Sequence, residues 1–269
     1  MRVLVYDCSA GISGDMNLAA LIDLGADRDI LKRELSRLNV HGEWKLECRR
    51  AGQAGIYGTR VDVLAQEHGH SGHSHEHHHR TMADIRRIIT ESGLPAAVQK
   101  TALSIFSLLA EAEARVHGTT PDQVHFHEVG AVDSIIDIVG AAICLDLLRA
   151  DAVFTGPVEL GGGRVTCQHG LMPVPAPATA QLARHFQSTL NGTPHEATTP
   201  TGAAYIAAVA QPAPSPLSGR IAAAGYGIGH REGLPLPNIL RVMLVETEEQ
   251  DTATERLTEL CANIDDMTP

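Results

Sequence analysis

Residues 132–148 read VDSIIDIVGAAICLDLL, a run of helix length that is apolar on almost every side. A surface helix shows one apolar stripe, whereas a helix that is apolar all round has to be covered on every face. Lipid is not the cover, because nowhere does the chain carry the ~18 consecutive apolar residues that mark a membrane span. The 269 residues must wrap this helix themselves. A chain of that length, one large domain or two modest ones, can bury roughly 70–75% of its unfolded surface.

The flanking segments supply the layers. Val3–Tyr6 is a short apolar run, read as a buried strand. It leads through Asp7-Cys8-Ser9-Ala10-Gly11-Ile12-Ser13-Gly14-Asp15 into a helix from Met16 to about Leu24, which Gly25 stops. A second helix is predicted from about Asp29 to Leu38. Trp44, Leu46 and Cys48 alternate, as do Val61 and Val63, which predicts a strand pair around the glycine-rich 52–58 turn. Thr81 and Asp84 stand in capping-box spacing ahead of Ile85, Ile88 and Ile89, with Gly93 as the stop. Pro95 suits the first turn of a long helix whose apolar face runs from Val98 to Val116, ended by Gly118. Ala152–Phe154, Val165–Cys167 and Ile239–Val245 are predicted strands, with helices near Ala178–Phe186 and from Ala203 to about Ala210.

The predicted class is therefore α/β (mixed α+β): a β-sheet with packed helices, a central helical block and a disordered histidine-rich loop at 68–79. Residues 1–246 form an N-terminal α/β domain on this reading. Residues 247–258 are an acidic, threonine-rich linker, and 259–269 are the start of a C-terminal domain.

Composition excludes several functions. A net charge of −11 and 3% aromatics leave neither a basic surface nor stacking groups for nucleic acid. The five cysteines are scattered and form no CxxC pair, so a disulfide framework or thiolate zinc site is not expected, and a reducing cytoplasm fits. Histidine is the outlier. Of 15, seven fall in one short tract: His68, His70, His73, His75, His77, His78 and His79. Only glycine, serine and Glu76 separate them, so the tract can bury nothing and should be a solvated loop. Neutral imidazoles suit borderline divalent metals, with affinity rising through nickel to copper.

The densest chemical group adjoins the buried helix. Asp133 and Asp137 are four apart and share a helix face. An unpaired buried carboxylate costs several kcal/mol, so each needs a partner or a metal. Immediately before the helix stands His125-Phe126-His127-Glu128. In an extended segment His125 and His127 share a face. With Glu128 and Asp137 they make a reasonable divalent-metal site. The plainer alternative is that the aspartates cap neighbouring elements and the histidines hydrogen-bond in the core. The Asp7–Asp15 turn lacks a P-loop pattern but has the strand–turn–helix form that gathers backbone N–H groups around an anion. A small-residue turn with no ligand, or a phosphatase-like use of Asp7, are the other readings of it. Thr199-Pro200-Thr201-Gly202 can hold a phosphate or simply cap a helix. His169 is a further ligand candidate beside an ordinary core role.

Taken in order, these segments resemble the nickel insertion proteins of nickel-pincer cofactor biosynthesis, the LarC family. The resemblance rests on Asp7–Met16, the histidine tract, His125–Ser134, His169–Thr179, Thr199–Ala203 and Asn263–Thr268, and so spans the chain. It implies CTP-dependent insertion of nickel into pyridinium-3,5-bisthiocarboxylic acid mononucleotide, a lyase-type chemistry serving lactate racemase and related enzymes. CTP with its divalent metal is expected to act through a C-terminal domain or subunit, leaving nickel and substrate handling to this part. The expected partners are that substrate and that C-terminal part, with self-association into a homo-oligomer compatible and no nucleic acid or membrane. Candidate catalytic residues are Asp7, Asp15 and Asp133, and candidate substrate-binding residues are Ser9, Gly11, Ser13, Gly14, Thr199, Thr201 and Gly202. The tract histidines, His125, His127, Glu128 and Asp137 are the candidate metal ligands. Asp7 and Asp15 are expected to meet Asp133 and Asp137 beside one pocket. The rival reading is a non-catalytic nickel store or metallochaperone that uses the tract alone.

Overall fold

The computed structural model describes residues 1–40, 43–66, 80–126, 131–167, 170–234 and 236–247. In chain order, β1 (Arg2–Asp7) is followed by α1 (Gly14–Leu24) and α2 (Arg28–Leu35). The hairpin β2 (Glu43–Gln53) and β3 (Ile56–Gln66) comes next, then β4 (Arg80–Thr81), α3 (Met82–Thr90) and α4 (Ala96–His117). β5 (His125–Phe126), α5 (Val132–Leu148), β6 (Ala152–Thr155) and β7 (Val158–Glu159) lead to the small hairpin β8 (Arg164–Cys167) and β9 (Gly170–Pro173). The remainder is α6 (Pro177–Leu182), β10 (Ser188–Thr189), α7 (Pro200–Val209), β11 (Gln211–Pro212), β12 (Arg220–Ile228) and β13 (Ile239–Glu246).

Seven strands form one sheet in the order β11-β6-β1-β13-β12-β3-β2. β1 runs antiparallel to β13 and parallel to β6, so the sheet is mixed. Leu4 and Tyr6 of β1 belong to the helix-covered core. Strand alternation then sends Asp7 to the opposite face. α1 lies on the sheet across β12, β3 and β13, and α5 lies on α1. The all-round apolar helix is covered as its sequence demands, by α1, α2, α4, α7 and β3. Ile135, Ile136, Val139 and Cys144 are fully enclosed.

β12 is the element that periodicity does not predict. Its Ala-Ala-Ala-Gly-Tyr-Gly run has poor strand propensity. The reason is close packing. A Cβ on Gly227 would collide with the Met16 carbonyl oxygen, and one on Gly225 with the Ala20 carbonyl oxygen and the Leu24 nitrogen. Only a strand without side chains at these positions lets the α1 backbone settle this low on the sheet.

Other boundaries shift slightly. α2 begins at Arg28 because the Asp27 side chain accepts from the Asp29 and Ile30 amides. Pro95 is the N-cap of α4 rather than its first turn, and α3 ends at Thr90, before Gly93. The Thr81–Asp84 capping box forms as its spacing predicts. Among the described residues, β8 and β9 pair only with each other. The histidine tract, the 248–269 segment, His127, Glu128 and His169 lie outside the described residues.

Candidate functional site

A cavity of about 690 Å³ opens where helix ends converge. The first turn of α1 brings Ser13, Gly14 and Asp15; that of α5 brings Asp133, with Asp137 one turn on. The start of α7 brings Thr199 and Thr201, and the last turns of α4 bring Glu113 and His117. Phe126 of β5, Cys167 and Met172 of the small hairpin, Glu196 and Arg231 also line it. The positive ends of helix dipoles favour carboxylates or other anions at such starts.

The approach of these helices is very close. A Cβ on Gly14 would sit 2.7 Å from Asp137 Oδ2 and 3.1 Å from Thr201 Cγ2. Gly202 is equally confined, against the Ile12 carbonyl. These two glycines let α1 and α7 meet over Asp137.

Asp137 and Asp15 are shifted in opposite directions. Asp137 Oδ1 is enclosed and has no hydrogen-bond partner among the described residues. Burial, and then the negative charges of Asp15 and Asp133, push its carboxyl well above the ordinary carboxylate range. Burial would raise Asp15 as well, but hydrogen bonds from His230 and Ser13 outweigh it and hold Asp15 below its ordinary value. One oxygen of Asp15 takes the Ser13 hydroxyl, and the other lies 3.0 Å from His230 Nδ1. His230 Nε2 lies 2.6 Å from Asp62 Oδ1. Hydrogen bonding to Asp15, against desolvation and with help from Asp62, raises His230 to about 9, so the ring is cationic at neutral pH. Arg231 donates to the Glu196 carbonyl and lies 3.5 Å from its carboxylate. His117 and Glu113 approach to 3.3 Å, four residues apart on α4. The cavity thus holds an acid of raised proton affinity next to one of lowered proton affinity, with Arg231 and His230 as cations at its edge.

The family profile for "Nickel insertion protein" matches residues 4–269. The chain belongs to the nickel insertion protein family. A relative from Akkermansia muciniphila, named pyridinium-3,5-bisthiocarboxylic acid mononucleotide nickel insertion protein, is 80% identical over 269 residues, which is 100% of this chain and 66% of the relative. One of the same name from Clostridium kluyveri is 48% identical, covering 100% of this chain and 68% of the relative. A putative nickel insertion protein from Wolinella succinogenes is 46% identical, covering 100% and 66%. The chain therefore spans about two thirds of the length of these relatives. No solved structure matches it.

Within this nickel insertion family member, of the candidate residues, Ser13, Gly14, Asp15, Asp133, Asp137, Thr199 and Thr201 line the cavity. It does not bring Asp7. On the far sheet face, Asp7 pairs with Arg241 of β13 and accepts from the Ser9 hydroxyl at 2.6 Å. The expectation that Asp7 and Ser9 border the same cavity is corrected, and strand alternation is the reason. Gly11 (φ +83°) packs its turn against Ala197, and Gly202 lies behind the cavity wall. Thr199 caps α7, its hydroxyl accepting from the Gly202 amide at 3.3 Å. Cys8 is buried, and burial pushes its thiol up to about 12, which rules out a thiolate role at neutral pH. His125 belongs to β5, opposite Thr81 of β4. The described residues contain no cluster of three or more metal-ligating side chains, and none of their helices is long and apolar enough to cross a membrane.

Sequence reasoning missed His230, Arg231, Glu113, His117 and Glu196. A signal for two of them exists: His230 and Arg231 directly follow Gly227-Ile228-Gly229, where glycines mark a backbone in close contact. The others carry no local signature, because α4 and the 191–199 loop reach the cavity only through tertiary packing.

Proposed function

We propose that this chain is the nickel-handling and substrate-binding part of a CTP-dependent insertase, which places nickel into pyridinium-3,5-bisthiocarboxylic acid mononucleotide. The observation that carries this reading is the gathering of Asp15, Asp133 and Asp137 at converging helix starts in one cavity, in a chain whose relatives bear that name. Nickel is here a substrate. Bonding it to a ring carbon replaces a ring proton, so the site needs an acceptor for that proton as well as ligands for the metal. Asp15 and Asp133 are the acids assigned to the reaction, and Asp137, with His125, His127 and Glu128, is assigned to the metal. Ser13, Gly14, Thr199 and Thr201 stand where helix starts favour the anionic groups of the mononucleotide. The seven tract histidines collect nickel for the site. CTP and its divalent metal are assigned to the part of the relatives that this chain does not span, where covalent activation divides one hard step into easier ones. The setting is the cytoplasm.

The test combines the purified chain with the part of the Akkermansia relative that it does not span, nickel, CTP and the mononucleotide, and follows cofactor formation. Stimulation over that part alone is expected, and Asp133→Ala should abolish it with little change in melting temperature. No stimulation, with nickel still bound by the tract, would refute the insertase and leave a nickel store. Magnesium-dependent phosphate release without nickel or CTP would instead indicate a phosphatase.

A further inference from the structure

The described residues between β12 and β13, 229–234 and 236–238, form a strap that reaches the cavity through Arg231. Its base is tied firmly. Gln53 Nε2 donates to the carbonyls of Gly229 and Arg231, both at 2.9 Å, and its Oε1 accepts from the Asn238 amide at 2.9 Å. The buried Arg60 donates to the Gly229 carbonyl at 2.7 Å. Two adjacent side chains then link the strap to the functional wall. Arg231 enters the cavity lining and meets Glu196. His230, half exposed, bridges Asp15 at the start of α1 and Asp62 on β3.

We propose that His230 is a positioning residue: by holding Asp15 and Asp62 at once, it fastens the strap to the start of α1 and fixes Arg231 at the cavity as the cation that meets the acidic end of the substrate. This rests on the reading of the cavity as the mononucleotide site. A histidine between two carboxylates needs both ring nitrogens as donors, so the bridge exists only while the ring is cationic. The groups facing it are Asp15 from α1, Asp62 from β3, Asp137 from α5, Arg49 of β2 behind Asp62 at 3.3 Å, and its strap neighbours Arg231 and Glu232. The acids outnumber the cations, which keeps the imidazolium favoured. His230 does not reach the cavity lining itself, so its effect on the substrate passes through its neighbour.

The test is a double-mutant cycle with nicotinic acid mononucleotide, a carboxylated pyridinium mononucleotide, as the probe in calorimetry. His230→Ala should weaken binding about tenfold, the size of one charge-assisted hydrogen bond. In an Arg231→Ala background the same change should have no further effect, because a residue acting through Arg231 has nothing left to position. Equal losses in both backgrounds, or no loss in the first, would overturn the proposal. Binding by the unsubstituted chain should fall as pH rises through about 9, where the ring loses its proton, and binding by His230→Gln should not. Hydrogen exchange needs no ligand and separates the two readings: His230→Gln should speed exchange across 229–238. Unchanged exchange there defeats the strap, whereas a chain that does not bind the probe at all, with the strap effect intact, defeats the mononucleotide site.

Discussion

Asp137→Asn should make the protein more stable and less useful. The carboxyl is enclosed at one oxygen, has no hydrogen-bond partner there among the described residues, and faces the charges of Asp15 and Asp133. Its proton affinity is therefore higher in the folded chain than in the unfolded one, where the ordinary value is 3.8. Between that value and the raised one, the folded state binds more protons than the unfolded state, so stability falls as pH rises across the window. Above it the deficit is complete, and every tenfold gain in proton affinity on folding has cost about 1.4 kcal/mol of stability. Asparagine has nearly the same shape and no charge, so it removes this deficit. Its enclosed polar atom costs about what the unpartnered carboxyl oxygen already costs, so the gain appears only where the carboxyl would have to ionise. Urea unfolding of both proteins at several pH values reads the effect directly. The two curves should nearly coincide at pH 4 and separate towards neutrality with the variant on top, while cofactor formation in the reconstituted assay is lost. A variant that is less stable at neutral pH would show that Asp137 has a satisfied structural role. Retained cofactor formation would show that its charge is not used.

Gly227→Ala forces a methyl group onto the Met16 carbonyl oxygen, and because both neighbours are backbone the cost should be about 3 kcal/mol or failure to fold, read by urea unfolding or soluble yield. Removing residues 68–79 should lower nickel stoichiometry in calorimetry without moving Tm, since the tract has no apolar residue to contribute to a core; an unchanged stoichiometry would remove its assigned role. In the intact chain, tract binding of nickel should weaken as pH falls through ~6.5, where free imidazoles protonate. Asp7→Asn breaks the Arg241 pair at the end of β1, should cost at most about 1 kcal/mol as a part-exposed ion pair, and should leave probe binding by the cavity intact; a loss of binding would return Asp7 to the site.

The readable parts of this fold are those in which one local rule acts alone. The all-round apolarity of Val132–Leu148 announces a covered helix, and the Thr81–Asp84 spacing announces a cap, because each depends only on near neighbours in sequence. β12 is invisible for the converse reason. Its alanines and glycines serve contact with a helix some 200 positions earlier in the chain, as the Gly227–Met16 approach shows, and that demand overrides strand propensity. The site divides in the same way. Asp133 and Asp137 are legible as acids on an apolar helix, whereas Asp7 is misplaced because a motif on a turn does not say which sheet face its strand-end residue takes. His230 stays hidden because its two partners, Asp15 and Asp62, lie 215 and 168 residues away.

What unites the cavity is an uneven distribution of protons among neighbouring acids. Asp15 is held below its ordinary value because a hydroxyl and an imidazolium hydrogen-bond to it, while Asp137, one helix away and touching the same α1 start, has neither and is pushed well above its ordinary value. On the proposed reading of Asp137 as a metal ligand, an arriving divalent cation would take the place of the proton on that carboxyl, whose Oδ1 no described residue engages. Asp15 need not be given up in the exchange, since His230 and Ser13 keep it in place. The same features that make Asp137 a liability to the fold, burial and an Oδ1 with no described partner, are those the proposed metal role draws on, and Gly14 is the residue whose missing side chain lets α1 approach that carboxyl.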